Sequence, residues 1–379
     1  MKLQKIVLLT LILTAVFSGC SPAKKNYQTT DVSSLSLEKN TFLTNGSDEF
    51  KFVVFAHAYG NASVPDIIPS SNLTSHLDDL LAFQPNFFFS LGDMVRRPTN
   101  EQFDILQDEL LSRIQVPIFN VVGNHDVMNR ALYRERYGKT YYTFTYGNSE
   151  FIILDTEIDR CSILNDQLTM LNNTITDALA DDSIDQIFIM IHKVLFLEEP
   201  LANTSPNDQV VFEGNNFHEI LVNTLLPAAK IKPLYLFAGD VGAFSGNLSP
   251  YYHQYDNSSL YSYAAGIGDT DQDVVFIVSV TGKDVEVKPY RLVDGIFLNL
   301  DDYNLEYWQN YGTEKVVVDE IQPMKQKLND CAVSVCRYAK NTFHLRCRIF
   351  LLLTAAIPTM MIVAFVVLVR RRKKSRKIN

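Results

Sequence analysis

Short apolar runs alternate with amphipathic stretches between Phe50 and about Val293, and this alternation predicts the secondary structure. Six nearly continuous runs are typical of strands covered on both faces, and they lie at 51–56, 86–91, 117–122, 151–155, 186–191 and 233–238. Helical spacing of apolar residues predicts helices at 74–83, 100–114, 164–180 and 216–228. Strict alternation predicts antiparallel strands at 141–146, 274–280 and 285–290. The pattern therefore predicts an α/β (α+β layered) domain over residues 49–296.

Side chains that can bind a metal ion stand at the ends of five of the six apolar runs. They are His57, Asp93, Asn124, His192 and Asp240. In open α/β sheets, ligand sites lie at the carboxyl ends of the strands. A lone histidine at a strand end is usually a hydrogen-bonded residue of the core or its rim. Five such side chains in corresponding places predict a metal centre instead.

The stretch IFNVVGNHDV, residues 118–127, ends an apolar run with Gly123, Asn124, His125 and Asp126. Each of the three polar groups is costly to bury without a partner, so the stretch suits a loop used for coordination or catalysis. A simple chain reversal is the alternative, because glycine, asparagine and aspartate also favour turns. This stretch alone leaves both interpretations open, and the other strand ends favour the first.

The chemistry that these residue types support is metal-assisted phosphoryl transfer. Two divalent ions about 3.5–4 Å apart bind phosphoryl oxygens, activate water and stabilise the leaving group. Such a site needs a bridging carboxylate, nitrogen ligands and neutral oxygen ligands. His125 is then placed to stabilise the phosphoryl charge or to protonate the leaving oxygen, and Asp126 is expected to orient its ring. We therefore predict His125 and Asp126 as catalytic residues.

The order of these motifs resembles the calcineurin-like metallophosphoesterase family over about residues 50–290. LGD at 91–93 is similar to the GD motif of the family, and GNHD at 123–126 matches its most specific signature. The run at 137–156 also resembles the segment that follows this signature. The resemblance implies a β-sandwich flanked by helices, two metal ions and hydrolysis of phosphomonoesters or phosphodiesters.

By matching position, the resemblance implies that Asp93 bridges the metals, that Asn124 and His192 bind the second metal, and that His125 is the catalytic histidine. Two motifs depart from the family pattern. The opening Asp-x-His is His57-Ala58-Tyr59 here, and the closing Gly-His-x-His is Gly239-Asp240-Val241-Gly242. An exchange of ligands, a weakened member that binds a ligand or partner without turnover, and a wrong alignment are the open alternatives.

The altered motifs change the expected use of metal. The first ion keeps His57 and Asp93, with Tyr59 as a candidate phenolate ligand, and is expected to be weak. The second ion is expected to bind tightly, because it keeps Asp93, Asn124, His192 and Asp240. Its oxygen-rich ligands favour manganese or iron over zinc. His76 and His218 fall in helical patterns as surface or rim residues, and His253 is a weak candidate for the place left by Gly242.

The first residues predict a secretory signal over 1–20 and a polar tether over 21–48. Phe17-Ser18-Gly19-Cys20 resembles a bacterial lipobox, with Cys20 as the lipidated residue. An ordinary signal cleaved nearby is the alternative. Seven Asn-x-Ser/Thr sites leave a eukaryotic type I membrane protein open.

The last residues predict a membrane anchor. Ile349–Val369 is an uncharged stretch of 21 residues, enough to span a hydrocarbon core of about 30 Å. The basic tail 370–379 follows and is expected on the cytoplasmic side. This arrangement places the main domain outside the cytoplasmic membrane, periplasmic or on the cell surface, above a membrane-proximal stalk at 297–348.

Net charge excludes one class of partner. The formal charge of the chain is −9, and without the seven basic residues of the tail it is −16. Such an acidic body argues against nucleic acid held by phosphate contacts, but not against a phosphate ester held by metal. The expected partners are therefore a phosphate ester and a membrane, and the sequence leaves the oligomeric state open.

Overall fold

The computed structural model describes residues 46–64, 67–196, 215–242, 249–255, 258–304 and 306–308. The strands there are β1 (Glu49–Phe55), β2 (Phe87–Ser90), β3 (Ile118–Asn120), β4 (Tyr142–Tyr146), β5 (Ser149–Ile153), β6 (Gln186–Ile191), β7 (Leu234–Ala238), β8 (Tyr251–Gln254), β9 (Leu260–Ala264), β10 (Val274–Thr281), β11 (Asp284–Arg291) and β12 (Ile296–Phe297). The helices are α1 (Ser71–Ser75), α2 (Leu77–Ala82), α3 (Asn100–Glu109), α4 (Arg130–Tyr137), α5 (Asn165–Ala180), α6 (Phe217–Ile220) and α7 (Leu226–Ala229). A π-helical turn, Leu221–Leu225, joins α6 to α7.

The strands form two mixed sheets of six strands each. The first has the order β12-β11-β10-β1-β2-β3, and the second has the order β4-β5-β6-β7-β9-β8. Strands β1, β2 and β3 are parallel neighbours in the first sheet, as are β5, β6, β7 and β9 in the second. Strands β4, β10 and β11 pair antiparallel, as their alternating sequences predicted. The carboxyl ends of the parallel neighbours therefore share one edge of each sheet.

The two sheets enclose an aromatic core. Phe52 of β1 packs against Phe87 of β2 with ring centroids 5.1 Å apart, and against Phe188 of β6 at 5.3 Å. Phe151 of β5 stacks on Phe188 at 4.9 Å. Because these contacts join strands of both sheets, the sheets lie face to face as layers of a sandwich.

Helices cover the outer face of each sheet. Along α5 the buried positions Gln167, Leu171, Ile175 and Ala178 recur every three or four residues, which gives the helix one apolar face against the second sheet. Phe103 and Leu106 of α3 are buried against the first sheet. The predicted mixed α/β layered fold is therefore confirmed.

The sequence pattern missed helix α4 and the strands β8, β9 and β12. Helix α4 buries only Tyr133 and Tyr137, so its apolar face is too narrow to stand out. Strands β8 and β9 pair antiparallel at one edge of the second sheet. Their apolar positions are mostly tyrosines, which suit a core and a surface about equally well.

Several predicted segments lie outside the described residues. These are the signal at 1–20, most of the tether at 21–48, the apolar stretch at 349–369 and the tail at 370–379. Among the residues that the structure does describe, no helix has both the length and the apolar character needed to cross a membrane. Of the predicted stalk, Trp308 is buried against Tyr251, and its indole N–H donates to the Pro250 carbonyl at 3.1 Å.

Candidate metal centre

The five strand-end residues meet where the carboxyl ends of the two sheets come together. His57, Asp93 and Asn124 follow β1, β2 and β3 of the first sheet, and His192 and Asp240 follow β6 and β7 of the second. His57 is joined to the β2 loop by its backbone N–H, which donates to the Gly92 carbonyl at 3.1 Å. The predicted convergence of these strand ends is therefore present in the fold.

Four side chains form one compact group of ligand atoms. His57, Asp93, His192 and Asp240 are all buried, and one ligand atom from each lies within 4.8 Å of the others. His57 Nε2 is 3.6 Å from Asp93 Oδ2 and 3.5 Å from Asp240 Oδ1. His192 Nε2 is 3.6 Å from Asp93 Oδ1 and 3.7 Å from Asp240 Oδ1. Two imidazole nitrogens and two carboxylates thus face a common centre.

His192 is held in the form that binds metals. Its Nδ1 lies 2.7 Å from the Leu91 carbonyl oxygen, so Nδ1 carries the hydrogen and donates it. Nε2 therefore carries no hydrogen, and its lone pair is on the side of Asp93 and Asp240. Burial lowers the pKa of His192 to about 3, so the ring is neutral at physiological pH. A backbone carbonyl that fixes the tautomer is a common support for histidine ligands.

His57 is buried without a hydrogen bond to either ring nitrogen among the described residues. A buried imidazole normally has a partner, because an unsatisfied polar group costs about 1–3 kcal/mol. Its backbone is also in the left-handed region, with φ of 55°. Such a conformation costs roughly 1–3 kcal/mol in a residue other than glycine, and it is found at functional sites. Both features indicate that His57 is held for a ligand.

Asp93 is fixed by a close approach of two loops. Its φ is 58°, and its Oδ1 accepts a hydrogen bond from the His125 N–H at 3.0 Å. Gly123 packs directly on this residue, because a Cβ added at Gly123 would lie 2.1 Å from Asp93 Oδ1. The glycine of the GNHD stretch therefore makes room for the carboxylate of the GD stretch.

Asp240 and Asn124 share a neighbour that the sequence did not indicate as part of the site. The Lys193 ammonium donates to Asn124 Oδ1 at 2.7 Å and to Asp240 Oδ2 at 2.5 Å. Burial opposes the charge of Lys193, but Asp240 and Glu157 outweigh burial and raise its pKa. Burial likewise opposes ionisation of Asp240, but its neighbours, among them the Lys193 ammonium, outweigh burial, so the pKa of Asp240 lies well below its usual value. Lys193 and Asp240 therefore form an ion pair.

His125 stands beside the group of four ligand residues. Its Nδ1 lies 2.8 Å from the Arg96 carbonyl oxygen, and its Nε2 lies 4.0 Å from Asp93 Oδ2. Its side chain is 30% exposed, so a substrate can reach the ring. The ring packs at 4.9 Å from the ring of Tyr59. Burial lowers the pKa of His125, and burial together with the charge of Asp93 raises the pKa of Tyr59.

Asp126 occupies a different position from the one expected. Its fully buried carboxylate accepts hydrogen bonds from four backbone N–H groups, those of Asp93, Met94, Val95 and Gly123. The ring of His125 is oriented by the Arg96 carbonyl instead. Asp126 thus ties the β2 loop to the β3 loop, which are the loops that carry Asp93 and Asn124.

The donor set fits a divalent metal ion. Asp93, Asp126 and Asp240 bring three buried carboxylates together, and burial followed by the charges of Asp126 and Asp240 raises the pKa of Asp93 well above its usual value. A divalent cation offsets this charge. The separations of 3.5–3.7 Å between the imidazole nitrogens and the carboxylate oxygens are also of the size expected between donor atoms that share a metal ion.

The arrangement differs in one respect from the expected division between two ions. His57 was expected to serve a first ion, and His192 and Asp240 a second, whereas the structure places all three around one centre with Asp93. Asn124 lies beside this centre, with its Oδ1 at 3.3 Å from His192 Nε2.

The remaining histidines lie elsewhere. His76 pairs with Asp79 at 3.0 Å near the protein surface, and His218 is exposed on α6. His253 is on β8, where its ring packs against Tyr255. The residues that the sequence analysis missed are Lys193 and, through its carbonyl group, Arg96. The one signal for Lys193 was a charged residue within the apolar run IFIMIHKVLF.

The calcineurin-like phosphoesterase family model matches residues 67–220. The match contains Asp93, Asn124, His125 and His192, but it begins after His57 and ends before Asp240. No curated protein matches the sequence.

Two solved phosphatase structures are similar to parts of this chain. A purple acid phosphatase from yellow lupin (Lupinus luteus) seeds is 14% identical, with a TM-score of 0.49 over 67% of this chain and 53% of that chain. This chain therefore spans about half the length of the lupin protein. A dimetal phosphatase from Danio rerio is also 14% identical, with a TM-score of 0.48 over 66% of this chain and 99% of that chain. Residues 67–220 of this chain therefore match a calcineurin-like phosphoesterase domain.

Proposed function

We propose that this protein is a metal-dependent hydrolase of phosphomonoesters or phosphodiesters. The observation that carries the proposal is the buried group of His57, Asp93, His192 and Asp240, whose ligand atoms lie within 4.8 Å of one another. His125 stands at the accessible side of this group, in the segment that the family model matches. The group would bind manganese, iron or zinc.

Each residue of the site has a separate task in this proposal. His57, Asp93, His192 and Asp240 would hold the ion, which when bound supplies a Lewis acid for the phosphate ester and lowers the pKa of water. His125 handles the proton of the reaction at Nε2, because its Nδ1 is engaged with the Arg96 carbonyl. A phosphate ester bound beside His125 would favour its protonated form, since a nearby anion raises the pKa of an imidazole.

A binding module without turnover is the second candidate function. It is favoured by the altered residues His57 and Asp240, and by the Lys193 ammonium that holds Asn124 and Asp240 Oδ2. In that case the centre would bind a metal ion, or a phosphorylated ligand, without hydrolysing an ester. The two candidates differ in turnover and agree in the residues that bind the ion.

We also propose that the domain lies outside the cytoplasmic membrane and is anchored to it. The proposal rests on the uncharged stretch 349–369 and the basic tail 370–379. Protease added to intact cells or spheroplasts that carry the full chain should digest the domain. Full protection of the domain would contradict this location.

The enzyme proposal is tested with the full chain purified in detergent. Bound metals are removed with a chelator, manganese, iron or zinc is restored, and metal content is measured alongside hydrolysis of p-nitrophenyl phosphate and bis-p-nitrophenyl phosphate. We expect metal-dependent hydrolysis of one or both esters, and His125→Ala should lower the rate about 10²-fold or more.

His218→Ala is the matched control, because His218 is an exposed histidine away from the centre. It should keep both metal content and rate. Metal binding without turnover of either ester would select the binding module. A protein that binds none of the three metals would contradict the enzyme and also a module that binds a metal ion.

A further inference from the structure

Neither the motifs nor the family match assigned a role to the side chain of Lys193. Its side chain is 16% exposed. It donates to Asn124 Oδ1 at 2.7 Å and to Asp240 Oδ2 at 2.5 Å, and it lies 3.9 Å from Glu157 Oε1. The two oxygens that it holds belong to residues which the sequence assigned to a second metal ion.

Asp240 divides its two oxygens between different partners. Oδ1 lies 3.5 Å from His57 Nε2 and 3.7 Å from His192 Nε2, within the group of four ligand atoms. Oδ2 is bonded to the Lys193 ammonium. The carboxylate therefore bridges the candidate metal position and a fixed positive charge, in the way that a carboxylate bridges two metal ions.

A second metal ion would compete directly with this ammonium. An ion bound by Asn124 Oδ1 and Asp240 Oδ2 would lie about 2.0–2.2 Å from each oxygen. Lys193 Nζ lies 2.7 Å and 2.5 Å from the same two atoms, so both cations would need nearly the same space. Two positive charges so close together also repel each other strongly in a buried site.

We propose that the Lys193 ammonium takes the place of a second metal ion, so that the centre holds one metal ion beside a lysine. This inference rests on the metal site of the proposed function. One divalent ion and one ammonium would offset the charge of the carboxylates of Asp93, Asp126 and Asp240, with Glu157 3.9 Å from the ammonium. An ammonium has three N–H bonds, and two are used by Asn124 and Asp240 among the described residues. The third can bind a phosphoryl oxygen, which is the place of the second positive charge in a two-metal site.

The inference is tested by counting bound manganese ions. The full chain and its Lys193→Met variant are stripped of metal and titrated with Mn²⁺, and stoichiometry is measured by calorimetry and by electron paramagnetic resonance. Methionine is chosen because it fills similar space without charge. We expect one ion in the wild type and two in Lys193→Met, where the second ion should appear as an exchange-coupled pair with the first.

Two further variants control the result. Lys193→Gln also removes the charge but can still donate to Asp240, so it should bind two ions even if methionine disturbs folding. Lys283→Met removes an exposed lysine, with 84% of the side chain accessible, and should bind one ion like the wild type. Emission from the single tryptophan, Trp308, reports whether each variant is folded.

The outcomes separate this inference from the proposed function. Two ions in the wild type, or one ion in both Lys193 variants, would overturn the role of Lys193 and leave the metal site in place. No ion in any variant would overturn the proposed function, and this inference with it.

Discussion

Substituting Gly123 by alanine should disable the metal centre through a single methyl group. The added Cβ would lie 2.1 Å from Asp93 Oδ1, 2.4 Å from the Asp93 nitrogen and 2.8 Å from Asp93 Cγ. Atoms that are not bonded to each other rarely approach closer than about 3 Å. The substitution therefore forces Asp93 away from Gly123, or forces apart the two loops that carry them.

The size of the effect follows from this overlap. Contact at 2.1 Å must lengthen by about 1 Å before it becomes tolerable. Disturbing the surroundings that orient a metal ligand typically costs about 10–100-fold in metal affinity. Asp93 also contacts both imidazoles of the centre, since it lies 3.6 Å from His57 and 3.6 Å from His192. We expect Gly123→Ala to lower the affinity for Mn²⁺ by about 10²-fold.

The assay measures metal binding and folding on the same sample. Calorimetric titration with Mn²⁺ gives the affinity, and urea unfolding followed by Trp308 emission gives the free energy of unfolding. Gly282→Ala is the matched control, because a Cβ at Gly282 meets no atom within 4 Å. Gly282 has a φ of 57°, so alanine there adds backbone strain and should lower stability without weakening metal binding. Wild-type Mn²⁺ affinity in a folded Gly123→Ala protein would refute the assignment of Asp93 as a ligand held by this contact.

Three other substitutions test buried carboxyl groups of the domain. Burial raises the pKa of Glu150 from 4.5 to about 7, so the folded protein holds the proton of this carboxyl group more tightly than the unfolded chain does. The free energy of unfolding should therefore fall by about 3 kcal/mol between pH 4.5 and pH 7. The Glu150→Gln variant, which lacks this proton, is the reference. A flat difference between the two urea-unfolding profiles would contradict this. Arg130→Met leaves the fully buried Asp155 without its guanidinium partner and should lower the free energy of unfolding by about 3 kcal/mol; an unchanged urea midpoint would argue against the pair. Asp126→Ala removes the acceptor of four backbone N–H groups, so it should lower both the urea midpoint and the activity. His125→Ala should lower the activity alone. Equal urea midpoints for the two variants would contradict the structural role of Asp126.

The positions of the candidate ligands could be predicted from the sequence because the pattern that marks them is local. A buried strand shows as a short apolar run, and the polar residue after it marks the end of the strand. Parallel neighbours end on the same edge of a sheet, so strand-end residues such as His57, Asp93 and Asn124 had to lie near one another once β1, β2 and β3 were adjacent. The sequence order alone did not establish that adjacency, and the resemblance to a family supplied it.

The hydrogen-bond partners of Asp126 and Lys193 could not be predicted from the sequence in the same way. Asp126 binds the backbone N–H groups of Asp93, Met94 and Val95, which lie more than thirty residues earlier in the chain. Lys193 reaches across from the second sheet to Asn124 of the first. No periodicity records such contacts, because they depend on how the two sheets face each other.

Comparing this sequence with the family motifs position by position assigned the candidate ligands to two metal ions. The positions of His57 and Asp240 explain why. Seen along the sequence, a carboxylate is lost at His57 and an imidazole is lost at Asp240, so each motif looks damaged. In space the two residues face each other, with His57 Nε2 at 3.5 Å from Asp240 Oδ1. At these two positions the exchange therefore keeps one nitrogen and one oxygen donor, although Tyr59 and Gly242 stand where the family pattern has histidine. With Asp93 and His192, two imidazoles and two carboxylates lie around one centre. A metal ion responds to the set of donor atoms and to their distances, and not to which strand carries each of them.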